Sequence, residues 1–276
     1  MVDFIEIVKV IILGIVEGIT EWVPISSTGH MLLVDEFIHM NMTEEFKEMF
    51  FYVIQLGAIL AVVILFWNKM WPFQTRDKVR PFIKKNTFET WIKVVIACIP
   101  GTIVAVLFDD YIEAHLHTPT VIALMLIIYG VLFIVIENWN KKRTPKTAEL
   151  DDISYKTAFL IGLFQVLSVI PGTSRSGATI IGALILGVSR VAAAEFTFFL
   201  AVPVMIGMSG IKLIKFGLNF SAAEVLILAV GCIVAFLVSI LVIKFLMSYI
   251  KKKDFKLFGW YRIVLGIIVL AYFWLF

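Results

Sequence analysis

The stretch EGITEWVPISSTGH (17–30) decides how this chain folds, and a second stretch of the same kind, PGTSRSGAT, stands at 171–179. Apolar runs flank both, yet each is polar at its centre and carries a proline, Pro24 or Pro171, among small residues. Hydrocarbon offers no hydrogen-bond partner to irregular backbone, so such breaks survive in lipid only where other helices shield them. Residues of about 4–37 and 155–188 are therefore expected as two re-entrant helix–loop–helix segments.

Composition sends the rest of the chain into lipid as well. Of 276 residues, 61% are hydrophobic and 16% charged, with a mean hydropathy of +0.97, far from the balance of a soluble domain. Six runs are long and apolar enough to cross: Phe46–Trp67, Phe88–Phe108, Thr120–Trp139, Ala194–Lys215, Ala222–Met247 and Leu257–Phe276, each near the ~20 residues that a bilayer core demands. The expected class is an all-α integral membrane protein with six transmembrane helices plus the two re-entrant segments. The N-terminus opens on Asp3 and Glu6 with no small-residue cleavage pattern, so no removable signal peptide is expected. Cys98 and Cys232 both lie inside apolar runs and read as buried free thiols.

The net charge is only +3, so its placement carries the information. Loop 68–87 holds Lys69, Arg76, Lys78, Arg80, Lys84 and Lys85; loop 140–156 holds Lys141, Lys142, Arg143, Lys146 and Lys156; loop 248–256 holds Lys251, Lys252, Lys253 and Lys256. Six crossings put all three loops on one face, which the positive-inside rule makes cytoplasmic. The expected opposite loops are acidic, with Glu44 and Glu45 in 39–45 and Asp109, Asp110 and Glu113 in 109–119. Both termini should lie outside the plasma membrane. Sidedness accounts for the basic residues, and no nucleic-acid partner is expected. His39, His115 and His117 fall in expected loops and read as solvated surface.

The two broken segments also belong to an internal repeat. At an offset of about 148 residues, Gly14, Glu17, Ser26, Thr28 and Gly29 match Gly162, Gln165, Ser174, Ser176 and Gly177, and Pro24 matches Pro171 after a one-residue slip. Glu48 and Glu195 then open the next span of each half. Halves 1–139 and 140–276 would each hold one re-entrant segment and three crossings, and an odd number of crossings inverts the second copy. Broken helices of such inverted repeats meet at the midplane.

Glu17 and Glu21, four apart, share one helix face. Carboxylates at membrane depth have a partner or a task, so the pair reads as a cation or proton site, the plainer alternative being capping or an ion pair. Ser26, Ser27 and Thr28 follow, and His30, within reach of Ser27, suits general acid–base work. In the second stretch Gly172, Thr173, Ser174, Ser176, Gly177 and Thr179 supply converging amides and hydroxyls at a helix start, an anion cradle. Arg175 adds a guanidinium whose fork fits phosphate; a structural Arg175–Glu21 pair is the alternative, and a pair that reopens for substrate satisfies both. Gly14-x-x-x-Gly18 reads as a close-packing helix face.

With these residues assembled, the chain resembles the bacterial and archaeal undecaprenyl-diphosphate phosphatase family, the one linked to bacitracin resistance. The likeness rests on EGITE (17–21), PISSTGH (24–30) and PGTSRSGAT (171–179) and runs the full length. It implies a membrane enzyme that removes the terminal phosphate of a C55 polyprenyl diphosphate, with Glu17, Glu21, Ser27, His30, Ser174, Arg175 and Thr179 matching its functional residues. The expected site joins catalytic Glu17, Glu21, Ser27, His30 and Arg175 to substrate-binding Ser26, Thr28, Gly172, Thr173, Ser174, Ser176, Gly177 and Thr179. It opens to the extracytoplasmic face, with Mg²⁺ or Ca²⁺ on Glu17 and Glu21; a homodimer is compatible with the sequence and not required by it. The phosphatidate-phosphatase superfamily is set aside, because no histidine follows Ser174-Arg175. The rival reading is a secondary transporter or lipid flippase. Against it, the acids and His30 occur only in the first copy and Arg175 only in the second.

Overall fold

A computed structural model describes residues 3–73, 82–217 and 219–275. Arg76, Lys78 and Arg80 of the first basic loop lie outside the described residues, as do the side chains of Thr28, Asp109, Asp110 and Glu113. The helices are α1 Phe4–Thr20, α2 Ser27–Ile38, α3 Glu44–Leu65, α4 Trp67–Met70, α5 Lys85–Leu116, α6 Pro119–Asn140, α7 Tyr155–Val166, α8 Arg175–Ile185, α9 Arg190–Phe216, α10 Ala222–Ile250 and α11 Lys256–Leu275. Among the described residues the only β pairing is two isolated bridges, Phe73 with Ile83 and Thr147 with Val188.

Six of these helices are long and apolar enough to cross a membrane: α3, α5, α6, α9, α10 and α11. Their exposed sides carry large apolar residues such as Val106, Leu241 and Ile267, as lipid contact requires. This is a multi-pass membrane protein. The runs expected from sequence begin within a few residues of the observed helices, because hydroxyl caps set the starts: Thr43 accepts from the Phe46 amide and Ser189 from the Ala192 amide. The loop expected at 109–119 shrinks to His117 and Thr118. Residues 109–116 continue α5, since a helix entering water keeps its own hydrogen bonds and nothing interrupts it before Thr118 and Pro119 cap α6. His115 consequently stacks on Tyr111 at the end of α5, still exposed, while His39 ends α2 in the left-handed region. Cys98 and Cys232 are free thiols, half-buried rather than buried.

Small residues set the closest helix contacts. α1 lies on α10 through Gly14 and Gly18, and α7 lies on α5 through Gly162. A Cβ on Gly18 would come within 2.8 Å of Val238 Cβ and 2.9 Å of the Ala235 carbonyl oxygen. α6 and α11 touch backbone to backbone, a Cβ on either Gly130 or Gly259 falling 2.7 Å from the other's carbonyl oxygen.

Charges then fix direction. Glu48 near the start of α3 bonds Lys212 near the end of α9, while Lys69, just past the end of α3, bonds both oxygens of Glu195 near the start of α9 at 2.7 and 2.8 Å. The two packed helices therefore run antiparallel. Glu137 of α6, fully buried, takes a forked bond from Arg190 and another from the Phe255 amide, tying the starts of α9 and α11 to α6.

Gly18→Val should lower the melting midpoint of the purified protein by an amount equivalent to about 1–3 kcal/mol, the usual cost of overpacking. Gly207→Val is the control, since nothing among the described residues lies within 4 Å of a Cβ there. Equal midpoints for the two variants in fluorescence-detected size exclusion would refute the close α1–α10 contact.

Candidate active site

Both breaks are built the same way. Beyond α1 the chain turns through residues 21–25, and Ser26, at φ 79°, caps α2 by accepting from the Gly29 amide at 3.4 Å. Beyond α7 a short turn, Leu167–Val169, leads to Ser174, which at φ 72° caps α8 by accepting from the Gly177 amide at 3.1 Å. Non-glycine residues with positive φ cost of order 1–3 kcal/mol and persist only where surroundings enforce them. Here each serine gains a cap and aims the first amides of its helix into the break. Gly172, at φ 88°, is required twice over: a Cβ would be strained there and would sit 2.5 Å from the Ile122 carbonyl oxygen.

The two breaks meet on one carboxylate. Arg175 Nη2 donates to Glu21 Oε1 at 2.7 Å, and Ser27 Oγ donates to Glu21 Oε2 at 2.6 Å. Ser176 Oγ reaches the Glu21 carbonyl at 3.4 Å and Ser174 Oγ at 3.1 Å. Glu21 is only 5% exposed and Glu17 1%, so this charge is held away from bulk water. Thr179 faces elsewhere: its hydroxyl bonds the Arg175 and Ser176 carbonyls and Thr197, fastening α8 to α9.

His30 is engaged differently from the expectation that it serves Ser27. Its Nδ1 lies 2.7 Å from the Ser26 carbonyl, which can only accept, so Nδ1 carries the proton. Nε2, 2.7 Å from Tyr261 Oη, then accepts from that hydroxyl. The imidazole folds back over the turn before it, and the Ser27 hydroxyl donates its hydrogen bond to Glu21 instead.

Several buried side-chain polar atoms around the breaks have no hydrogen-bond partner among the described residues: Glu17 Oε1, Gln165 Oε1, Thr173 Oγ1 and Arg175 Nη1. Glu17 and Gln165 are the matched positions of the sequence repeat. A group of unsatisfied donors and acceptors is rare in a finished core, and each costs about 1–3 kcal/mol until something meets it. Such a group suits a ligand rich in anionic oxygens that also brings water or a cation. Among the described residues no three His, Cys, Asp or Glu side chains form a metal cage. Two carboxylates, one with an open oxygen, do fit Mg²⁺, which takes one or two protein carboxylates and completes its shell with water and substrate phosphate.

Arg262 on α11 escaped the sequence reading. It is 0% exposed, and its guanidinium donates to five main-chain carbonyls: Pro24 at 3.1 Å, Met125 at 3.3 Å, Leu126 at 3.4 Å, Gly172 at 2.7 Å and Thr173 at 2.9 Å. One side chain thus ties the first break to the second and both to α6. The signal was available, an arginine alone in an apolar span, where an ionisable group asks for a reason.

The family model for bacitracin resistance protein BacA matches residues 10–268. The chain is 74% identical over 268 residues to an undecaprenyl-diphosphatase of Enterococcus faecalis, covering 97% of both proteins. It is 63% identical to one of Lachnoclostridium phytofermentans, covering 98% of both, and 60% identical to one of Desulfitobacterium hafniense, covering 98% of this chain and 96% of the relative.

Arg262→Met should leave the buried Pro24, Gly172 and Thr173 carbonyls short of a donor and depress the melting midpoint strongly, by the equivalent of about 3 kcal/mol or more. Arg262→Lys should recover only part of this, because an ammonium cannot reproduce the guanidinium fork. A methionine variant as stable as the parent would show that the clamp holds nothing.

Proposed function

The chain belongs to the bacitracin resistance protein BacA family, and from that membership we propose that it is an integral membrane phosphatase converting undecaprenyl diphosphate to undecaprenyl phosphate and inorganic phosphate. It thereby recycles the lipid carrier for cell-wall precursors. The observation that carries the site assignment is the Glu21 carboxylate shared between the Ser27 hydroxyl and the Arg175 guanidinium. A nucleophile, a base and a phosphate-binding cation meet there, the first two delivered by the first break and the third by the second.

Ser27 is the nucleophile. Its Oγ attacks the terminal phosphorus while its proton passes to Glu21, and the bond from that phosphorus to the bridging oxygen breaks, releasing the polyprenyl phosphate. Protonated Glu21 loosens its hold on Arg175, whose guanidinium turns to the equatorial oxygens beside the α8 amides and the Thr173 hydroxyl. Water then attacks the phosphoserine, giving its proton to His30 Nε2, and the departing Ser27 oxygen recovers its proton from Glu21. Glu17, and Glu21 while it is ionised, would hold a divalent cation, Mg²⁺ or Ca²⁺, which would supply charge neutralisation to the diphosphate.

We place the site in the plasma membrane, opening to the extracytoplasmic face, with both broken segments re-entrant and the prenyl tail left in lipid. The like construction of the Ser26 and Ser174 caps and the antiparallel α3–α9 pair support an inverted repeat. So do the matching α1–α10 and α7–α5 contacts. A transporter with this architecture has no need of a serine bonded to a buried acid.

Purified protein in detergent should release phosphate from farnesyl or undecaprenyl diphosphate, and EDTA should stop it until Mg²⁺ is returned. Arg175→Ala and Glu21→Ala should each cut turnover by about 10²-fold or more while eluting as the parent does. Mass spectrometry of a trapped phosphoenzyme should find the label on Ser27. A label on His30 alone would reassign the nucleophile, and full activity in both alanine variants would move the site elsewhere.

A further inference from the structure

Tyr261 belongs to neither sequence motif, yet it is the partner that His30 presents to the outside. Its ring lies 7° from parallel with the imidazole at a centroid distance of 5.6 Å, and its hydroxyl meets Nε2 at 2.7 Å. The next residue, Arg262, is fastened to five carbonyls around the breaks, so the rotation of α11 at this level is fixed and the tyrosine's direction with it. On the other side of the ring, Nδ1 is held by the carbonyl of Ser26, itself locked at φ 79°. The imidazole is therefore gripped at both nitrogens, and Nε2 alone is placed to exchange a proton with a reacting group. Tyr261 is 45% exposed, so the residue lies at the edge of the packed interior while its hydroxyl reaches the imidazole.

We infer that Tyr261 is a positioning residue of this site: its hydroxyl, bonded to Nε2, and its stacked ring hold the His30 imidazole, whose tautomer the Ser26 carbonyl sets, in the plane from which Nε2 meets the attacking water. The role rests on the phosphatase reading and on His30 as the group that accepts the water's proton. When diphosphate and water enter, water takes the hydroxyl's place at Nε2, and the stacked ring continues to hold the imidazole plane. The oxygen–hydrogen bond of the tyrosine is not broken at any step. Loss of the hydroxyl removes one of the two bonds that hold the ring, so before water arrives the imidazole samples orientations in which Nε2 points away from it. Misplacement of a catalytic group on that scale costs turnover far more than binding.

Tyr261→Phe keeps the ring and removes only the hydroxyl. It should lower kcat for farnesyl diphosphate by about ten- to a hundredfold, with KM and the melting midpoint unchanged. Wild-type kcat in this variant would overturn the inference, leaving the phosphatase reading intact. A raised KM with a lowered midpoint would equally overturn it, as the behaviour of a residue that merely packs. Failure of the unsubstituted protein to release phosphate would instead strike down the phosphatase reading, and this role for Tyr261 with it.

Discussion

A buried carboxylate in a membrane protein needs its opposite charge delivered to it, and the Glu21–Arg175 contact is where this chain meets that demand. The two residues lie 154 positions apart, on segments that each interrupt a helix. Together they exchange hydrogen bonds, and Arg262 absorbs the carbonyls that the exchange leaves over. The rest of the architecture brings these two interruptions to one point.

The packing makes that meeting possible. Helices in lipid gain little from burying apolar side chains against one another, so close approach has to come from small residues and from polar pairs. Gly14, Gly18 and Gly162 bring the broken helices hard against α10 and α5, and the crossed Glu48–Lys212 and Lys69–Glu195 pairs set α3 against α9 in opposite directions. Rigid surroundings then hold Ser26 and Ser174 in backbone conformations that an isolated chain would avoid, and those conformations point helix-start amides into the breaks. Stability and chemistry are coupled at the caps: what strains the backbone also aims it.

Much of this was legible in the sequence because the signals were local. Six apolar runs, two polar interruptions with proline and glycine, and a glycine pair four apart each announce themselves within a dozen or so residues. The Arg175–Glu21 contact could be anticipated because two buried charges of opposite sign each needed a partner. What escaped notice had partners that leave no mark in sequence. Arg262 binds main-chain carbonyls, which every residue possesses, and Tyr261 reaches His30 across 231 positions. The acidic stretch at 109–116 was read as a loop because charge suggested an end to the helix, whereas α5 stops only where Thr118 and Pro119 begin the next one.

The clamp formed by Arg262 also carries a consequence for how the molecule is made. Ribosomes deliver this chain from the first break toward α11, so the carbonyls of Pro24, Gly172 and Thr173 reach the bilayer well before the guanidinium that joins them. Glu48 likewise waits for Lys212. An insertion intermediate lacking α11 would hold a hydrated gap where the finished protein is closed, which makes the emergence of that one helix the event that seals the interior.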